Sequence, residues 1–134
     1  RRLWLPVEHA LLRSAAIRLT DIVSLPYIML TVDEASRTAE RYWQKFDLKP
    51  NIIFNTSSVE AVRSMVADGI GVTILSDMVY RPWSLEGQRI ELRSIVDDIP
   101  TMDVGLAWNK FVEQTPATTV LRDFLSLAFS GASS

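Results

Sequence analysis

The chain has 134 residues, 48% hydrophobic and 22% charged, the balance of one ordinary globular domain with enough apolar side chains for a core. Its formal net charge is −2, so no general attraction to nucleic-acid phosphate is available and this segment is not expected to read DNA itself. The absence of cysteine excludes disulfides, thiolate metal sites and thiol nucleophiles, and with His9 as the single histidine any metal site would rest on carboxylates.

Arg1-Arg2-Leu3-Trp4-Leu5 leads straight into a strand, and its apolar run is too short for a signal peptide, so the sequence reads as a piece of a longer protein. Thr20-Asp21-Ile22-Val23 predicts a short helical turn with Thr20 as N-cap, and Pro26 ends it. Tyr27-Ile28-Met29-Leu30 is a continuous apolar run, the mark of a strand covered on both faces. From Asp33 to Phe46 the residues Ala35, Ala39, Tyr42, Trp43 and Phe46 share one stripe, which predicts an amphipathic helix. Lys49-Pro50-Asn51 turns the chain, and Ile52-Ile53-Phe54 predicts a second buried strand.

Ser57-Ser58-Val59-Glu60 has capping-box spacing, with Ser57 as N-cap and Glu60 at the third helical position. Val59, Val62, Met65 and Val66 supply the buried face of that helix, and Gly69 closes it. Ile70 to Leu75 is a third strand. The order β-α-β-α-β with short connections predicts an α/β fold: a parallel sheet, right-handed crossovers and helices on both faces. Beyond it, Tyr80 to Gly87 reads as irregular, Arg89-Ile90-Glu91-Leu92 as an exposed edge strand, and Met102 to Trp108 as a further strand. Thr115 precedes Pro116 as an N-cap, and Ala117, Val120, Leu121, Phe124, Leu125 and Ala128 form an apolar stripe to the end of a last helix. Gly131-Ala132-Ser133-Ser134 reads as a frayed tail.

Five pieces in order carry a family likeness: Trp4-Leu5-Pro6-Val7-Glu8-His9-Ala10-Leu11, Pro26-Tyr27-Ile28, Pro50 before Ile52-Ile53-Phe54, Thr56-Ser57-Ser58, and Val66-Ala67-Asp68-Gly69-Ile70-Gly71-Val72. Together they resemble the effector-binding domain of LysR-type transcriptional regulators over nearly the whole chain. Ser76-Asp77 departs from the pattern, since the family usually has proline there. The resemblance implies a type 2 periplasmic-binding-protein-like architecture, two α/β subdomains with a small molecule bound between them. On that mapping residues 8–101 form the second subdomain, residues 1–7 and 102–108 the hinge strands, and the helix over 115–130 returns to an incomplete first subdomain. It further implies a cytoplasmic homo-oligomer that meets DNA through a helix-turn-helix domain absent from this chain.

The candidate site lies where strands end and helices begin. Thr56, Ser57 and Ser58 combine hydroxyls with free helix N–H groups, which suits a small organic anion, or they cap a helix and face water. Thr31 and Asp33 follow the first strand at the same sheet edge, as a second wall of the crevice or as the cap of the next helix. Ser76 ends the third strand under the same rule. Arg81-Pro82-Trp83 reads as a solvated arginine beside a tryptophan packed under it, His9 as a surface or hinge residue, and Asp97-Asp98 as turn chemistry. No nucleotide-binding or nucleophile-elbow motif is present, and one histidine without cysteine leaves little for catalysis. The expectation is a binding module that needs no cofactor, metal or membrane: a transcriptional sensor, with a secreted solute-binding protein as the alternative and an α/β enzyme fragment as a distant third.

Overall fold

Alternation of side chains along the strands sets the layers of the first compact unit, Arg1–Met102, in a computed structural model that describes residues 1–130. Its strands are β1 (Arg2–Pro6), β2 (Pro26–Leu30), β3 (Asn51–Thr56), β4 (Thr73–Leu75) and β5 (Ile90–Arg93). The main helices are α2 (Ala35–Lys45) and α3 (Val59–Ala67), preceded by a single turn, α1 (Leu19–Ile22). β2 and β3 pair in parallel, and β1 lies antiparallel between β4 and β5. Val72 joins the two ladders, because Ile28 N donates to Val72 O at 2.9 Å and Val72 N to Pro26 O at 2.8 Å. The strands therefore run β3-β2-β4-β1-β5 in space. Gly71 allows this approach: a Cβ there would stand 2.8 Å from Pro26 O.

Residues of opposite parity face opposite layers. Leu3, Leu5, Tyr27, Met29 and Ile74 pack with Ala39, Tyr42 and Trp43 of α2, while Trp4, Ile28, Leu30 and Leu75 pack with Val62 and Val66 of α3. Helices thus cover both faces of a mixed sheet in which β3, β2 and β4 run parallel, and the α/β expectation holds.

Several local expectations change. The first helical turn starts at Leu19, so Thr20 is inside it; Asp21 accepts from Arg18 N at 2.8 Å and Asp97, far along the chain, from Leu19 N at 2.6 Å. Strand β3 is exposed, with Ile52, Ile53 and Phe54 at 39%, 46% and 46%, because it borders the sheet and pairs with β2 alone. Residues 102–108 form no strand: a strand exists only within a ladder, and no ladder among the described residues includes them.

The second unit comprises Asp103–Ser134; the tail read as frayed, Gly131 to Ser134, lies outside the described residues. Its helix α4 (Pro116–Phe129) begins where expected, with Thr115 Oγ1 accepting from Thr118 N at 3.2 Å and proline in the first turn. The apolar stripe forms but stays uncovered within the unit: Val120, Leu121 and Phe124 are 69%, 57% and 64% exposed. The Arg122 guanidinium lies 5.4 Å from the Trp108 ring centre.

Candidate ligand-binding site

Parallel pairing brings the carboxyl ends of β2, β3 and β4 to one edge of the sheet, and each end turns there into helical structure. Thr31 N donates to Thr56 O at 2.8 Å, extending the β2–β3 ladder by one bond and setting the carboxyl ends of the two strands side by side, from which α2 and α3 each begin. Thr31, Asp33, Ser57 and Ser58 are exposed at this edge, and Thr56 and Ser76 are half-buried.

Capping is displaced by one residue from the expectation. Ser58, not Ser57, is the N-cap of α3: its backbone is extended and its hydroxyl accepts from Ala61 N at 3.1 Å. Thr56 Oγ1 accepts from Ser58 N at 3.1 Å, which satisfies the amide a capping box would have served. Glu60 turns instead to Arg63, one turn along the helix. Ser57 is thereby left with an exposed hydroxyl beside two first-turn amides, Val59 and Glu60, that have no intrahelical acceptor.

At the other helix, neither Thr31 nor Asp33 is the cap. Glu34 occupies that position without a side-chain bond, and Asp33 sits in the left-handed region at φ 50°, which aspartate tolerates better than most residues. The start of α2 is therefore uncapped by side chains. Ser76 Oγ accepts from Met78 N at 3.2 Å and opens a 3-10 turn, Asp77–Val79, while Asp77 pairs with Arg2 at 3.1 Å. That pair is half-exposed and contributes little to stability.

Residues set aside by the sequence reading have local roles. His9 Nδ1 accepts from Leu11 N at 3.2 Å, and desolvation lowers its pKa from the ordinary value of 6.5. Trp83 is 54% exposed and lies under Arg89, 5.9 Å away, rather than under Arg81. The segment around it is irregular but ordered: Tyr80 OH donates to Ile90 O at 2.8 Å and Ser84 N to Gln88 O at 2.8 Å. Asp97 does sit in a turn, with Ile99 N donating to its carbonyl at 3.0 Å, beyond its cap to α1. Arg63, which is buried, was missed, although it stands at the i+4 position of the stripe begun by Val59. Among the described residues no group of three or more His, Asp or Glu could hold a metal ion, and no helix is long and apolar enough to cross a membrane.

A mixed sheet with three parallel strands, helices on both faces and polar helix starts at the carboxyl edge of those strands defines a type 2 periplasmic-binding-protein-like fold. The family model described as LysR substrate binding domain matches residues 1–129, and the chain belongs to that family. An uncharacterized HTH-type transcriptional regulator, YybE of Bacillus subtilis (strain 168), is 25% identical over 128 residues, covering 95% of this chain and 42% of its own length. The crystal structure of HinK, a LysR family transcriptional regulator from Pseudomonas aeruginosa, superposes with a TM-score of 0.80 at 25% identity, over 92% of this chain and 43% of HinK. The BenM effector binding domain with its effector benzoate shares the fold at a TM-score of 0.68 and 12% identity, over 96% of this chain and 59% of that one. These homologues are transcriptional regulators of the LysR family and not enzymes. The chain spans less than half the length of YybE or HinK.

Proposed function

We propose that the chain is an effector-sensing segment of a LysR-type regulator and that a small organic anion binds at the carboxyl edge of its sheet. The observation that carries this reading is the Thr31 N to Thr56 O bond, which sets side by side the two strand ends that lead into α2 and α3, among hydroxyl groups. Such an arrangement offers an anion backbone N–H donors, hydroxyl donors and the positive ends of two helix dipoles. Thr56, Ser57 and Ser58 form one wall, Thr31 and Asp33 the second, and Ser76 the third. Asp33, being an acceptor, would take a hydroxyl or N–H elsewhere on the same ligand. A fold neighbour's benzoate, a carboxylate, is the same class of ligand.

In the same reading residues 8–101 are one subdomain of a two-subdomain sensor, residues 1–7 and 102–108 its connections, and the helix over 115–130 part of the other subdomain. The whole protein is a cytoplasmic homo-oligomer that contacts DNA through a separate helix-turn-helix domain.

Calorimetry of the complete regulator against benzoate and other small carboxylates tests the site. Replacing Thr56, Ser57 and Ser58 together by alanine is expected to weaken the binding carboxylate by about tenfold or more, the order of one to three lost hydrogen bonds. Unchanged affinity would remove the site assignment. The isolated 134 residues are expected to show no salt-dependent DNA binding, and tight binding by them would refute the division of labour.

A further inference from the structure

Arg63 is the buried cation of the first unit, 5% exposed within the layer that α3 packs against the sheet. Its guanidinium pairs with Glu60 on its own helix and donates through Nη2 to Val79 O at 2.5 Å. Val79 ends the 3-10 turn that Ser76 opens, and Tyr80 N closes the same turn on Asp77 O at 3.2 Å. Burying a guanidinium is costly unless its bonds are made, and a leucine or methionine at this point of the stripe would cover the sheet without that cost. What the apolar residue could not do is reach across from α3 to a backbone carbonyl at the end of β4's connection. Ser64, the next residue, adds a second tie by donating to Glu86 at 2.8 Å, and this bond draws the Glu86 carboxyl below its ordinary range.

We infer that Arg63 is a positioning residue that fixes the 76–80 turn to α3, so that Ser76 is held in place relative to the Ser57 and Ser58 end of the same helix. This deepens the proposed ligand site and rests on it for its purpose, though the tie itself does not depend on any ligand. The Met78 amide reports on it directly, because that amide donates to Ser76 Oγ. Removing the Val79 anchor should free the turn and expose the Met78 and Tyr80 amides to solvent without opening the sheet.

Hydrogen exchange on the full chain, without ligand, tests the tie. In Arg63→Met the amides of Met78 and Tyr80 are expected to exchange about tenfold faster or more, with those of Leu3 to Leu5 unchanged, as for a local opening. Arg63→Lys, which keeps the charge but lacks the length and fork that let the guanidinium span Glu60 and Val79 O, is expected to restore part of the protection. Unchanged exchange at Met78 and Tyr80, or a uniform rise over α3, β1 and β4 together, would show that Arg63 merely fills the core and would overturn the inference. Should Arg63→Met fail to fold, the same two amides in Arg63→Lys decide: faster exchange confined to them supports the tie, and wild-type exchange refutes it. Failure of the alanine triple to weaken carboxylate binding would instead strike the ligand reading and leave this exchange result standing.

Discussion

Helices α2 and α4 carry the same kind of apolar stripe and meet different fates. In α2, Ala39, Tyr42 and Trp43 are buried against Leu5, Tyr27 and Met29 of the sheet. In α4 no residue is buried, and Ala117, Val120, Leu121 and Phe124 leave an apolar face open within its own unit. The first unit is a layered core in which the apolar stripes of α2 and α3 are covered by the two faces of the sheet within the same stretch of chain, while the bordering strand β3 stays exposed. Among its described residues the second unit is a helix with an apolar face and no layer of its own. Periodicity in a sequence therefore reports which face is apolar, and not what covers it.

The contrast should appear first in truncations of the two stripes. Trp43→Ala is expected to cost about 3–5 kcal/mol in denaturant unfolding, because it empties a fully packed position beside Tyr27. Phe124→Ala, at an exposed position, is expected to stay within about 0.5 kcal/mol in the same measurement. Comparable losses would mean that α4 is as much a part of the folding core as α2. Phe124→Glu is expected to act on self-association instead, read by sedimentation, since several exposed apolar side chains on one helix favour burial against another surface.

Smaller effects separate the units at their caps. Asp97→Ala removes the carboxylate that accepts from Leu19 N, a bond across 78 positions of sequence, and should lower unfolding stability by about 0.5–2 kcal/mol. Thr115→Ala removes a cap of the same type from α4 and should reduce helicity there with no change in the unfolding midpoint of the first unit. A shift in that midpoint with Thr115→Ala would erase the distinction.

The smallest effect is set by pH. Desolvation holds His9 below its ordinary pKa of 6.5, so between the two values the unfolded chain binds more protons than the folded one. The contribution of His9 is present in full above pH 6.5 and is lost as the pH falls from there through the folded value. His9→Asn, which keeps a side-chain acceptor for Leu11 N, is expected to flatten the pH dependence in this window; an unaltered profile would exclude His9 as its source.

Much of the first unit was legible because its signals are local and periodic. Tyr27 to Leu30, the α2 stripe and Gly69 at φ 75° follow from runs, periods and a left-handed turn. Residues 52–54 misled because an apolar run says nothing of whether a strand has a neighbour on both sides. The residues 102–108 misled because a strand-like composition does not supply a ladder. At the candidate site the hydroxyl cluster Thr56, Ser57 and Ser58 is a local signal, but the cap falls on Ser58 rather than Ser57, with Thr56 Oγ1 accepting from Ser58 N and Glu60 paired with Arg63. Asp97 capping α1 and Arg63 reaching Val79 were invisible because each joins segments distant in sequence.

Ligand binding at the carboxyl edge of the sheet is best probed by amide chemical-shift mapping with the small carboxylate that binds the complete regulator. The largest changes are expected at Thr31, Asp33, Ser57, Ser58, Val59, Glu60 and Ser76, with little change at Asn51, Gly69 and Trp83. Changes centred on Asn51 and Gly69 at the opposite edge, or on the loop around Trp83, or no response to any carboxylate tried, would contradict it.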